Sequence, residues 1–225
     1  MKTGQPLRQA FQAELDQLRM QVEVMGVRVD QNLERMRDVL AHHDPTVVDR
    51  AINADDDIDD MNVSLTERCY DLLARENPVA SDLRFIVSVL RILSELERIG
   101  DLSLRVVKRA DEFERVSEHP VIADLLTSMS EHAVAQYRVA LHAWSSQDAA
   151  EAAELASSTG EVDHYAGRLA EELLRLDGVD AVSVAMTSLV IGRSLDRIAD
   201  HAAIIGARLR YLLSGDPDHL AAEVR

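Results

Sequence analysis

The sequence predicts an all-α protein built as two tandem three-helix bundles, and three observations predict it. The chain of 225 residues is 47% hydrophobic yet carries only 9 Gly, 5 Pro and 4% aromatic residues. That composition favours helix and leaves little material for strands or many turns. Its apolar residues recur at alternating spacings of three and four in six long segments, the period of helices that bury one face. Two strings, Glu97-Arg98-Ile99-Gly100-Asp101 and Asp196-Arg197-Ile198-Ala199-Asp200, are near copies whose first residues lie 99 positions apart. A repeat of that length suggests two versions of one unit.

In the first segment Phe11, Leu15, Leu18, Val22, Met25, Val29, Met36 and Leu40 form a stripe that ends near His42. Asp44-Pro45 marks the break, since Asp caps a helix and Pro suits its first turn. A second helix over 45–76 carries Val47, Ile52, Ile58, Met61, Leu65, Cys69 and Leu72, and Asn77-Pro78 stops it. The third, over 80–113, is apolar on two stripes: Leu83, Ile86, Leu90 and Leu93, then Val89, Ile92, Leu96, Ile99 and Val106. Such a helix is buried on more than one side. His119-Pro120 opens a fourth helix reaching 145, followed by a fifth over 148–176 and a sixth over 180–213. In the sixth, Val184, Ser188, Ile191, Leu195, Ile198, Ala202, Ile205, Leu209 and Leu212 make the main stripe, with Asp196 and Asp200 beside it. Asp177-Gly178 and Ser214-Gly215-Asp216-Pro217 are the stops. The halves divide near Val116 to His119, giving bundles over 1–116 and 117–225 with antiparallel neighbours, free to pack end to end as one elongated unit.

Composition also narrows function. A formal net charge of −16 argues against nucleic acid as a partner and disfavours unaided docking on an anionic membrane. It suits a basic partner or a bound cation. The single cysteine, Cys69, excludes an internal disulfide and reads as core filling in a reducing compartment. The charged N-terminal segment lacks a secretory apolar block, and the longest apolar stretch, Val182 to Ile191, is too short for a bilayer. The expectation is a soluble cytoplasmic protein. No nucleotide loop and no nucleophile beside a base stands out. Trp144 and Tyr137 read as core or interface residues, and His42, His43 and His132 as surface or helix-end residues.

The acids carry the chemistry. On a helix, positions i and i+4 share a face, so Glu97 and Asp101 point together, as do Asp196 and Asp200. Extending the first stripe of the third helix by the same spacing reaches Glu97, Gly100 or Asp101, and Leu104, so acids replace leucines along a packing seam. A carboxylate there must be paired, hydrogen-bonded, metal-bound or close to solvent. The second helix holds Asp55-Asp56-Asp57-Ile58-Asp59-Asp60, in which Asp55 and Asp59 repeat the i,i+4 relation. Its counterpart in the fifth helix keeps Asp163 but has Thr159 where Asp55 stands. If the second and third helices pack side by side, Asp55, Asp59, Glu97 and Asp101 could hold a hard cation such as Mg²⁺, Mn²⁺ or iron. The bland alternative pairs these acids with Arg98 and Arg105 on a solvated face and leaves the aspartate run as surface charge.

Asn77-Pro78-Val79-Ala80-Ser81-Asp82-Leu83-Arg84, followed by Leu96-Glu97-Arg98-Ile99-Gly100-Asp101 and by Asp196-Arg197-Ile198-Ala199-Asp200-His201-Ala202, resembles the PhoU family of phosphate-signalling regulators over essentially the whole chain. Phe11-Gln12-Ala13-Glu14-Leu15 with Met25-Gly26 is similar to that family's opening. The resemblance implies a PhoU-like fold of two three-helix bundles and two metal sites. Glu97 and Asp101 with Asp55 and Asp59 would form one, and Asp196 and Asp200 with Asp163 the other. The metal would be iron, Mn, Mg or Zn. Thr159 departs from the pattern, with Glu161, His164 or His201 as substitute ligands. The resemblance further implies regulation without catalysis: a homodimer at the cytoplasmic face of the membrane that relays the state of a phosphate ABC transporter to a sensor histidine kinase, limits phosphate uptake and restrains the starvation response. Two rival readings are a metal-free helical adaptor and a carboxylate-bridged di-metal oxidase. The oxidase needs two Glu-x-x-His motifs, and only Glu161-Val162-Asp163-His164 qualifies.

Overall fold

In a computed structural model the described residues, 4–42, 46–155 and 160–224, are helices joined by short turns, with no strand among them. The helices are α1 (Gly4–His42), α2 (Thr46–Glu76), α3 (Ser81–Val107), α4 (Ala110–Ser117), α5 (Pro120–Ser146), α6 (Ala149–Leu155), α7 (Gly160–Leu173) and α8 (Ala181–Ser214), with a closing 3-10 helix at Pro217–Val224. Two of the expected stops act as read: Asn77 and Gly215 take positive φ, which ends α2 and α8. Asp44-Pro45 lies outside the described residues.

Helices α1, α2 and α3 pack on one another as the first bundle, and α5, α7 and α8 as the second, with α6 against α5 and α8. Arg28 to Asp57, Arg68 to Gln17 and Gln21, and Arg75 to Glu14 are linked in reverse order along α1 and α2, as antiparallel neighbours require. The bundles do not merely meet end to end. Their most extensive contact is α3 along α8. Arg84 Nε donates to the Leu212 carbonyl at 3.0 Å, Glu95 meets His201, Thr187 Oγ1 donates to Glu112 at 2.7 Å and Arg115 reaches Ser183. The steady fall of one number as the other rises shows α3, and α4 after it, running antiparallel along α8.

Burial explains the two stripes of α3. Ile86, Val89, Ile92, Leu93, Leu96, Ile99 and Val106 are all buried, because the helix serves its own bundle on one side and α8 on the other, whereas Leu83 of the first stripe is exposed and Leu90 half-buried. A single apolar cluster therefore runs through both bundles. Trp144 and Tyr137 are fully buried on α5, and Cys69 lies in the core of α2, where burial pushes its thiol up to about 12. Tyr137 Oη donates to the Gly26 carbonyl at 2.7 Å, tying α5 to α1. A side chain at Gly26 would start 2.5 Å from a Leu141 methyl, so the glycine permits that close approach.

Two expected helices differ. The third ends at Val107: Lys108 N still donates to Leu104 O, then the turn tightens into i to i+3 bonds, Arg109 N to Val106 O at 2.9 Å and Glu112 N to Arg109 O at 3.0 Å, and the chain re-enters as α4. The turn lets Ala110, Phe113 and Val116 reach the core, where all three are buried. The fifth is α6 and α7, with 156–159 between them outside the described residues, and its last turn ends at Leu173, short of Leu176.

Tyr137→Phe should destabilise the chain by about 1 kcal/mol, the net worth of one buried hydrogen bond, with an unchanged denaturant slope in urea unfolding.

Candidate functional site

Asp55 and Asp59 stand one turn apart on α2, and Glu97 and Asp101 one turn apart on the neighbouring face of α3. The structure brings these four together. Asp55 is the deep member, at 5% exposure, and lies against the bare backbone of Gly100. A Cβ there would sit 3.1 Å from Asp55 Oδ1, so Gly100 leaves the room that the carboxylate occupies. Burial first, then the charges of Asp59 and Asp101, push the Asp55 carboxyl up to about 6, against the pull of Lys108. Asp59 and Glu97 are also raised, each by burial first and by Asp101 next. Asp59 and Asp101 are exposed and Glu97 half-buried, so the acids on the α3 seam sit at its solvent edge. Arg98 and Arg105, which could have neutralised them, make no ion pair among the described residues.

The second set is different. Asp196 is buried at 9% exposure and its carboxyl is raised by burial, then by Asp200, with Asp163 adding and Arg193 opposing. Arg193 Nη1 donates to Asp196 Oδ2 at 2.7 Å, and Arg197 stands 3.9 Å from Asp200. Asp163 and Asp200 are exposed, and Thr159 lies outside the described residues. The expected substitute ligands face elsewhere. Glu161 pairs with His132 at 2.6 Å, His201 turns into the α3–α8 seam, and His164 lies exposed beside Tyr165. The pairing of Glu161 with His132 also removes the Glu-x-x-His motif from the acids.

Sequence reasoning missed Glu95. Its carboxylate is 1% exposed, 2.5 Å from His201 Nδ1 and 3.0 Å from Arg91 Nη2. A buried charge this well enclosed needs its partners, and here they come from both repeats. The signal was available: Glu95 and His201 each interrupt an apolar stretch, Ile92-Leu93-Ser94-Glu95-Leu96 and Ile198-Ala199-Asp200-His201-Ala202.

Asp55, Asp59, Glu97 and Asp101 offer oxygen donors alone; the first three carboxyls are raised, with Lys108 and Arg98 opposing only in part, which is the donor chemistry of a hard cation. Among the described residues no three His, Cys, Asp or Glu side chains converge as a formed metal site, so a cation would have to draw them inward. Asp55 also sets a pH dependence. Its folded pKa of about 6 lies above 3.8, so its contribution to stability is complete below 3.8 and is lost as pH rises through 6. Asp55→Asn, neutral throughout, should therefore be about 1–2 kcal/mol more stable than the parent at pH 7 after solvent screening, and close to it at pH 4, by urea unfolding at both values.

The PhoU domain matches residues 22–110 and 126–209, which contain both sets of acids. The phosphate-specific transport system accessory protein PhoU of Serratia marcescens is 29% identical over 216 residues, covering 95% of this chain and 88% of its own length. The crystal structure of PhoU from Pseudomonas aeruginosa superposes with a TM-score of 0.86 at 30% identity, over 92% of this chain and 100% of that one. That of the phosphate transport system regulatory protein PhoU from Streptococcus pneumoniae gives 0.82 at 27% identity, over 92% and 98%. Matched in both repeats and along nearly its whole length, the chain belongs to the PhoU domain family.

Proposed function

We propose that the chain is an accessory regulator of phosphate uptake, acting at the cytoplasmic face of the membrane. It relays the state of a phosphate ABC transporter to a sensor histidine kinase, limits uptake and holds down the starvation response while phosphate is plentiful. The observation that carries this reading is the breadth of the likeness: relatives named for the phosphate transport system align over nearly the whole chain, acid strings included. None of the relatives described above is named as an enzyme, which supports action by contact. No helix among the described residues is long and apolar enough to cross a membrane, so such a regulator would work on what the transporter presents outside the bilayer. We place two copies in the working unit, as a homodimer.

In this reading Asp55, Asp59, Glu97 and Asp101 hold iron, manganese, magnesium or zinc, and Asp163, Asp196 and Asp200 a second ion. A bound cation would supply charge neutralisation between α2 and α3. The chain's own part is to keep the raised carboxyls of Asp55, Asp59 and Glu97 on one face beside Asp101, where neutralising them fixes the shape of a surface that a partner reads. A second reading, an adaptor without metal, is favoured by the arginines: Arg193 already occupies Asp196, and Arg197 stands beside Asp200.

Deleting the gene should switch on phosphate-starvation genes in phosphate-replete medium, and restoring it should silence them. Unchanged expression, with no paralogue to compensate, contradicts the regulator. Asp101→Asn with Asp200→Asn separates the two readings: loss of partner binding that depends on salt, at unchanged metal content, selects the adaptor.

A further inference from the structure

Beyond the acids, α8 presents a face that the phosphate reading does not use. Val182, Met186, Leu189, Arg193 and Arg197 follow one another by steps of four, three, four and four, and so share one side of the helix. Its first half is apolar and bare, with Val182 at 76%, Met186 at 60% and Leu189 at 47% exposure. Its second half is cationic. There a groove of about 440 Å³ runs between α3 and α8, lined by Leu102, Leu189, Val190 and Ser194 with Arg105, Arg193 and Arg197. No acid lines it, although the chain as a whole carries a charge of −16. Arg105 makes no ion pair among the described residues, the Arg193 side chain is two-thirds exposed despite its bond to Asp196, and the Arg197 side chain is nearly half exposed at 3.9 Å from Asp200.

The shape and the charge choose the occupant. A small anion would meet arginines still open to water and would leave the apolar half of the face uncovered. A segment with apolar side chains at i, i+4 and i+7 followed by carboxylates covers both halves at once. The chain's long-range field repels acidic partners, so a local run of arginines decides where an acidic segment can land. We propose that this face docks an acidic amphipathic helix of a partner protein, its apolar residues on Val182, Met186 and Leu189 and its carboxylates on Arg105, Arg193 and Arg197. The proposal goes beyond the phosphate reading and needs no metal.

The probe is a fluorescent 18-residue helical peptide with leucines at i, i+4 and i+7 and glutamates over the next two turns, beside a twin with lysines in place of the glutamates. Titrated with the full chain and read by anisotropy, the glutamate peptide should bind at least tenfold more tightly than the lysine peptide, and more weakly as salt rises. Arg105→Glu with Arg197→Glu should invert that order, an exchange that mere loss of fold does not produce, and Met186→Gln should weaken the glutamate peptide while circular dichroism stays that of the parent. Equal affinity for the two peptides, no binding of either, or an unchanged order in the charge-reversed chain would overturn the proposal. So would a wild-type oligomer that Met186→Gln dissociates, since a second copy would then cover the face.

Discussion

The antiparallel pairing of α3 with α8 is the constraint on which the rest of the molecule depends. Each helix is the last long one of its repeat, and each must bury an inner face in its own bundle and a second face in the other. This is why α3 is apolar on two stripes and why one cluster of buried side chains runs through both halves. The pairing also fixes register. Glu95 and His201 meet only when the two helices are aligned as they are, and a shift by one turn would leave a buried carboxylate without its partner, a penalty of several kcal/mol.

Once that seam is set, the flanks of α3 and α8 receive everything else. The repeated strings place Glu97 with Asp101, and Asp196 with Asp200, beside the seam on their respective helices. Their surroundings then diverge. On α3 the neighbours are the aspartates of α2, and burial first, then the charges of Asp59 and Asp101, raise Asp55 to about 6. On α8 an arginine one turn away answers each aspartate, and only Asp163 comes from α7. The same five-residue pattern thus yields one face where carboxylates crowd one another and one where each aspartate has a half-exposed or more exposed arginine beside it.

Much of this was legible in the sequence because it rests on periodicity. The stripe from Leu15 to Leu40, the core places of Trp144, Tyr137 and Cys69, and the stops at Asn77 and Gly215 follow from local spacing and turn chemistry. The grouping of Asp55, Asp59, Glu97 and Asp101 followed from i,i+4 geometry plus one assumption, that α2 and α3 are neighbours. What escaped depends on partners far along the chain. Nothing local says that His201 turns toward Glu95 rather than Asp196, or that Glu161 goes to His132. The break at Lys108-Arg109 was hidden as well, because no glycine or proline marks it and it exists to bring Phe113 into the core.

The direct measurement is the metal content of the chain, purified without chelator or affinity tag, beside Glu97→Gln with Asp101→Asn and beside Asp196→Asn with Asp200→Asn. A cation-organised regulator requires specific metal in the parent, most of it lost with the α3 pair and less with the α8 pair. Equal and negligible metal in all three, persisting after reconstitution, would contradict it and leave the acids as protein contacts alone.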